Sequence, residues 1–309
     1  MKYCFGVDLG GTATKMGLFQ EDGTLVDKWE IPTRRRQKVD VVLPDIASAL
    51  QAKAEEWKIE KDDIIGIGFG VPASVDKDGY VKKADNMGWA DKQVRVELEN
   101  LTGWKVKVGN DANVAALGEM WKGGGVGYDN LVMITLGTGV GCGIILNGQI
   151  LTGAHGGSGE LGHMFVEHDE TIPCDCGKTG CLEQYASATG IVRLTKRYLE
   201  KHDEETVLNI ETVTAKDVFD AVKAGDAVAL KIAEQFGAYL GHALSRVAVI
   251  LDPDVFVIGG GVSKAGDILL EYIQKYYVEK VFWPAKDTKF TLSKLGNDAG
   301  IYGAVKMIL

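Results

Sequence analysis

Apolar positions along the chain form short continuous runs that end in glycine, alternating with stretches of helical spacing. "YCFGVDLGGT" from Tyr3 reads as a strand entering a glycine turn. "KMGLFQEDGTLVDKWEI" reads as two strands joined at Asp22 and Gly23, a hairpin signal. From about Val39 to Trp57 the apolar residues recur at helical spacing, as in Val42, Ile46, Leu50 and Ala54. "IIGIGFGVP" is a continuous apolar run, which predicts a strand buried on both faces. "KVKVGNDANVAALGEMW" predicts a strand, then Asn110 and Asp111, then a helix. "NLVMITLGTGVGCGIIL" repeats the opening pattern of strand, glycine turn and strand. Helical stretches follow to about Ile250. "DVFVIGGGV" is another buried strand, followed by a helix, the strand-like "KFTLSKLG" and a short final helix.

Strands alternating with helices predict an α/β fold. "FGVDLGGTATKMGLF" and "MITLGTGVGCGIIL" share one plan, a strand, a turn rich in Gly and Thr, and a second strand. Two such units in one chain imply two related lobes facing one another. No low-complexity linker separates them, so a cleft between the lobes is expected.

Composition narrows the class. At 309 residues the chain is too long for one small core, which favours two domains. Its 40 glycines cluster after apolar runs and follow no short period, which excludes a fibrous protein. The net charge of −9 disfavours nucleic acid as a partner. The basic run "TRRRQK" from Thr33 is short and reads as a solvated loop. No stretch reaches the length of a membrane span. The N-terminus has neither a long apolar region nor an A-x-A cleavage site, so a cytoplasmic protein with reduced thiols is expected.

Candidate chemistry sits on the turns. Asp8 ends the first strand, with Gly10, Gly11 and Thr12 behind it. Glycines there let backbone N–H groups approach a phosphate, Thr12 adds a hydroxyl, and Asp8 can hold magnesium through water. A tight hairpin explains this turn equally well when it is read alone. The matching turn Gly137-Thr138-Gly139 favours a nucleotide clamp. Neither turn is a P-loop or a dinucleotide-binding glycine motif. Asp111 falls in the first turn of a predicted helix, whose dipole favours an ionised carboxylate. It is either an N-cap or a carboxylate placed to take a proton from a substrate hydroxyl in phosphoryl transfer. Asn110 beside it offers a donor and an acceptor to hydroxyls.

Three of the five cysteines fall within eight residues. With His163 they give H-x10-C-x-C-x4-C, formed by His163, Cys174, Cys176 and Cys181. Three sulfurs and an imidazole complete a tetrahedral zinc site. A disulfide would leave one thiol unpaired, and "CDCGKTGC" is too polar and glycine-rich for core cysteines. With one His163 nitrogen on zinc, the other becomes a fixed N–H donor. Glu160 and Glu183 flank the site, and carboxylates accept hydrogen bonds from vicinal hydroxyls such as those of a sugar. The cysteines are thus expected to staple a loop whose other side reads a polyol.

The motifs "VDLGGT", "NDANVAALGE", "LGTGVG", "GGSGELGHM", "CDCGKTGCLE" and "PDVFVIGGGVS" resemble those of the ROK family of repressors and sugar kinases. The likeness covers almost the whole chain, in the family's order, and is greatest to the bacterial ATP-dependent glucokinases. It implies a two-lobed actin-like sugar kinase fold, related to ribonuclease H, with the active site in the cleft between the lobes. The small α/β lobe would comprise residues 1–117 plus about 296–309. The large lobe, 118–295, would carry the zinc loop. The resemblance makes Asp111 the general base and Asn86, Asn110, Glu160, His163 and Glu183 the sugar contacts. His163, Cys174, Cys176 and Cys181 would bind structural zinc, and the two Gly-Thr turns the ATP phosphates. Gly259, Gly260 and Gly261 would lie against the adenosine.

The implied reaction is magnesium-dependent transfer from ATP to the 6-hydroxyl of D-glucose, in a homodimer or homotetramer. Fructose, allose and N-acetylmannosamine remain alternative substrates. Repressor relatives carry an N-terminal DNA-binding domain. Here the first strand begins at about residue 3, which is expected to leave no room for one. Three positions depart from the family pattern: Ala73 and Cys142 where glycine is frequent, and Ala13 where lysine is.

Overall fold

The computed structural model describes residues 1–35, 40–84 and 86–309. The predicted helix start at Val39, the last three residues of the basic run and Asp85 of "ADNMGW" lie outside the described residues.

In chain order, β1 (Tyr3–Leu9), β2 (Ala13–Gln20) and β3 (Leu25–Pro32) lead into α1 (Val42–Glu56). Then come β4 (Ile64–Val71), β5 (Val81–Ala84), β6 (Trp89–Lys92) and α2 (Val94–Thr102). They are followed by β7 (Val106–Asn110), α3 (Asp111–Lys122), β8 (Leu131–Leu136), β9 (Val140–Leu146) and β10 (Gln149–Ile150). After the cysteine segment come α4 (Glu183–Ala186), α5 (Ala188–Leu199), α6 (Ala215–Lys223) and α7 (Ala227–Leu251). The chain ends with β11 (Val255–Gly259), α8 (Asp267–Lys280), β12 (Lys289–Leu292) and α9 (Ala299–Ile308).

These elements form two compact units. The first comprises Met1–Asp129, Gly143–Ser158 and Lys294–Leu309, and the second Asn130–Cys142 and Gly159–Ser293. The sequence reading put the second half of α3 in the large lobe. The structure keeps α3 whole in the first unit, because it packs along α9 over its length.

The first unit is built on a sheet of order β3-β2-β1-β4-β7. β1 pairs antiparallel with β2 and parallel with β4, which pairs parallel with β7. β4 is thus a central strand, and its near-continuous apolar run follows from burial on both faces. Along β1, Phe5, Val7 and Leu9 enter a core shared with Leu43, Ile46 and Leu50 of α1 and Leu98 of α2. The alternate residue Cys4 joins Ile301, Val305 and Ile308 of α9 on the other face.

On that second face the backbones themselves meet. A Cβ on Gly68 of β4 would collide with the Ala304 carbonyl, and one on Gly303 of α9 with the Val114 carbonyl of α3. Only glycine permits this approach.

Glu119 of α3 is wholly buried. Its carboxyl accepts the backbone N–H groups of Gly124 at 2.6 Å, Lys294 at 3.0 Å and Leu295 at 2.8 Å. It thereby fastens the segment that leaves α3 and the segment that re-enters the unit before α9.

The second unit holds β8, the start of β9, β11 and β12 of the sheet β10-β9-β8-β11-β12, in which β11 lies parallel between β8 and β12. The unit boundary falls inside β9, after Cys142. Tyr277 of α8 packs edge-on against Phe256 of β11 and Phe290 of β12, and its hydroxyl donates to the Ala285 carbonyl at 2.6 Å. Among the described residues, no helix is long and apolar enough to cross a membrane.

Glu119→Leu strands three backbone N–H groups in a dry interior, at about 1–3 kcal/mol each. The expected loss is about 3 kcal/mol or more in chemical denaturation followed by circular dichroism. Glu119→Gln, which keeps one acceptor oxygen, loses less.

Candidate functional site

In the first unit, the turn after β1 is closed by Gly10 N–H donating to the Ala13 carbonyl at 3.1 Å. Thr33 locks it from β3's end. Its hydroxyl donates to the Gly10 carbonyl at 2.8 Å, and its N–H to the Thr12 carbonyl at 2.8 Å. Thr12 is left exposed at the tip. The Asp8 carboxyl lies beside Gly300 in the first turn of α9, where a Cβ would come within 2.6 Å of it. Burial pushes the Asp8 carboxyl above its usual range, and the charge of Lys15 pulls it back in part.

The helix cap of α3 belongs to Asn110, not to Asp111. The Asn110 side-chain oxygen accepts Asn113 N–H at 3.1 Å, and its amide donates to the Ala73 carbonyl at 3.2 Å. Asp111 is the first helical residue, and its Oδ1 accepts Ala112 N–H at 2.8 Å. With Asn110 taking the cap, Asp111 is placed at the positive end of the helix. Asn86 is exposed, and its carbonyl accepts from Arg35 at 3.1 Å. The Arg35 guanidinium also lies 3.4 Å from where a Gly11 Cβ would stand, against the first glycine turn. Arg35 is exposed outside any helix or strand, as the solvated-loop reading expected, and it makes these contacts from there.

In the second unit, Gly137 N–H donates to the Gly139 carbonyl at 3.0 Å, which closes the second turn. Ala188 N–H and the Thr189 hydroxyl, in the first turn of α5, donate to the carbonyls of Gly137 and Thr138 at 2.8 and 2.6 Å. The triplet Gly259–Gly261 follows β11. Gly260 takes a left-handed φ of 84° and presses on the Leu136 backbone at the end of β8. Gly261 opens on a cavity of about 330 Å³ lined by Phe219, Val262, Ala265 and the stem of Lys216.

His163, Cys174, Cys176 and Cys181 converge, with one ligand atom from each lying within 4.8 Å of all the others. Cys176 and Cys181 sulfurs are 3.6 Å apart, and Cys174 Sγ lies 3.8 Å from His163 Nδ1. A disulfide needs ~2.05 Å, whereas a tetrahedron with metal–sulfur bonds of ~2.3 Å has edges of ~3.8 Å. The set therefore fits a tetrahedral metal ion. The loop is folded by its own backbone. Cys174 N–H donates to the Lys178 carbonyl at 2.7 Å, and Val166 N–H to the Gly180 carbonyl at 2.8 Å. Burial and a hydrogen bond to Glu183 push the Cys174 thiol well up, while the Lys178 N–H draws Cys176 down.

His163 presents Nδ1 to this cluster, and its Nε2 lies 4.0 Å from a Glu160 oxygen. Glu183 lies between the cluster and the second glycine turn. Its Oε1 is 2.9 Å from Cys174 Sγ and 3.7 Å from His163 Nδ1, and its Oε2 would be 2.6 Å from a Cβ on Gly139. A cavity of about 290 Å³ adjoins them, lined by Thr138, Gly139, Cys174 and Glu183. Glu160, His163, Glu183 and the Gly-Thr turn thus share one neighbourhood within the second unit.

Sequence reasoning missed Glu170, in the strap between His163 and Cys174. Its side chain is 1% exposed and meets two arginines of α5. Burial alone would raise its carboxyl, but Arg197, Tyr185, the Ile172 N–H and Arg193 hold it down to about 2. The visible signal was Arg193 and Arg197 at i, i+4 on one helix face.

Phosphate-sized turns in both units, a carboxyl at a helix start and a metal-ligand cluster flanked by carboxylates define an α/β protein of the sugar kinase type. The chain belongs to the ROK family, whose model matches residues 4–309. It is 46% identical to a glucokinase of Halalkalibacterium halodurans, over 98% of this chain and 93% of that one. It is 36% identical to a glucokinase of Thermotoga maritima, over 98% and 96%. A ROK family glucokinase from Streptomyces griseus, solved with glucose and AMPPNP, superposes with a TM-score of 0.77. It is 30% identical and covers 99% of this chain and 98% of its own. The fold is the two-lobed, actin-like fold of the ROK sugar kinases.

A carboxyl held down to about 2 in the folded state stabilises the protein above its ordinary pKa of 4.5 and loses that contribution as pH falls towards 2. The shift corresponds to about 3 kcal/mol. Metal-free Glu170→Gln is thus expected to be less stable than the metal-free parent at pH 7, with the gap narrowing between pH 5 and pH 3 in denaturant titrations.

Proposed function

We propose that the protein is an ATP-dependent glucokinase that transfers the γ-phosphoryl group of ATP to the 6-hydroxyl of D-glucose. The relatives named above support the activity and the substrate. Within this chain, the observation that carries the reading is His163, turned with Nδ1 to the cysteine cluster and Nε2 towards Glu160. One imidazole then serves the metal and a sugar hydroxyl at once. His163, Cys174, Cys176 and Cys181 would hold zinc, which when bound would cross-link the loop and fix the His163 tautomer, leaving Nε2–H as a donor.

The sugar is bound by Asn86, Asn110, Glu160, His163 and Glu183. Carboxylates accept from vicinal hydroxyls, and Asn110, held by its own cap bond and by Ala73, presents a fixed amide. Asp111 orients the 6-hydroxyl. As O6 bonds to the γ-phosphorus, the bond to the β,γ-bridging oxygen breaks and ADP leaves. The O6 proton passes to the Asp111 carboxylate. In a loose transition state this transfer comes late, so placement matters more than basicity. Backbone amides of the two Gly-Thr turns, with Thr12 and Thr138, cradle the phosphates. The cavity at Gly261 takes the adenosine. Asp8 would hold magnesium through water, which when bound would supply charge neutralisation at the phosphates. The active form is a homodimer or homotetramer in the cytoplasm.

Asp111→Asn preserves shape and removes proton acceptance. Turnover is expected to fall about 10²–10⁴-fold, with glucose affinity by calorimetry nearly unchanged. Near-normal turnover would end the general-base assignment. Across a sugar panel read by ADP release, glucose should give the highest kcat/KM. A preference for fructose, allose or N-acetylmannosamine would keep the kinase and replace its substrate.

A further inference from the structure

We infer that Glu170 is a positioning residue that holds the His163–Cys174 strap in its metal-ready shape before any metal binds. The inference rests on the reading of the cysteine cluster as a zinc site.

Three consecutive residues of α4 grip the strap and its neighbours at successive points. Glu183 meets Cys174 at 2.9 Å. Gln184 donates to the Ile172 carbonyl at 2.8 Å and accepts Cys181 N–H at 3.0 Å, which ties the two sides of the ligand loop together. Tyr185 donates its hydroxyl to Glu170 at 2.5 Å. Glu170 is where these ties meet α5. Arg197 clasps its two oxygens with both terminal nitrogens at 2.9 Å, and Arg193 approaches to 2.7 Å. Its Oε1 also accepts Ile172 N–H at 2.9 Å, which bends the strap two residues before Cys174. A second tie lies nearby. Glu167 accepts from the Tyr239 hydroxyl at 2.7 Å, and Tyr239 stacks on Tyr185 at 4.2 Å.

A metal site binds tightly when its ligands need little ordering, because fixing a loop costs backbone entropy for each residue held. The strap contributes His163 at one end and Cys174 at the other, and no ligand between. Something other than the metal must set its path, and the buried carboxyl facing two guanidinium groups does so. Removing that charge leaves Arg193 and Arg197 close together, unneutralised and partly buried, which drives them and the strap apart. The effect reaches the sugar through His163.

The test uses the whole chain. Zinc affinity is measured by competition with a chromogenic chelator, and amide exchange of the metal-free strap by mass spectrometry. Glu170→Gln is expected to weaken zinc binding tenfold or more and to speed exchange across residues 164–173. Tyr185→Phe, which removes one hydrogen bond and keeps the ring, should shift both in the same direction by less. Glu204→Gln breaks an exposed pair with Lys231 in the same unit and should leave zinc affinity within twofold. A merely structural role would lower the melting temperature without changing zinc affinity. Folded Glu170→Gln and Tyr185→Phe proteins that bind zinc within twofold of the parent would overturn the inference. Should Glu170→Gln not fold, Tyr185→Phe decides alone. A parent that binds no zinc overturns the metal reading and this inference together. A loaded parent with equally tight variants overturns this inference only.

Discussion

The first unit depends on α9 lying directly on backbone. Gly68 of β4 and Gly303 of α9 remove the side chains that would keep helix, sheet and α3 apart. At that distance no side chain fits, since the smallest added group would strike a carbonyl. Two chemical features inherit their positions from this contact. Asp8 projects from β1 onto the first turn of α9. Asp111 starts α3, the helix that Gly303 brings against α9. The first glycine turn and a helix-start carboxyl, far apart in sequence, are thereby placed in one frame.

The second unit solves a different problem. Its functional residues lie on a long irregular segment with little regular structure to place them. Three devices substitute for it: a cluster of metal ligands, a grip by three consecutive residues of α4, and a buried carboxyl shared by two arginines. The glycine turn after β8 is tied to the start of α5, the helix that carries those arginines. Glycine turn, metal-ligand loop and candidate sugar contacts are therefore linked to one another within this unit.

Much of this was legible in the sequence for physical reasons. Near-continuous apolar runs marked β1, β4, β8 and β11, because buried parallel strands cannot alternate with polar residues. Three cysteines and a histidine in one short segment marked the metal loop, because so few donor arrangements satisfy a tetrahedral ion. Other features were hidden. Asn110 and Asp111 both suit a helix start, and only the structure shows that the cap is Asn110 and not Asp111. Glu119 and Glu170 look like ordinary surface glutamates in the sequence. Two of the three backbone amides on Glu119 lie some 175 residues away, and the arginines on Glu170 lie 23–27 residues away on one helix face. Arg35 sat in a basic run that read as a solvated loop, and it is exposed there, but its contact with the first glycine turn left no sign in the sequence. Long-range polar contacts leave no periodic trace, so sequence pattern alone cannot find them.

The most direct test of the central claim is a structure of the protein with glucose and a non-hydrolysable ATP analogue. The account predicts the glucose O6 within ~2.6–3.2 Å of an Asp111 carboxylate oxygen, with His163 Nε2 and Glu160 on hydroxyls at the other side of the ring. A sugar bound with O6 turned away from Asp111, or held without His163, would contradict it.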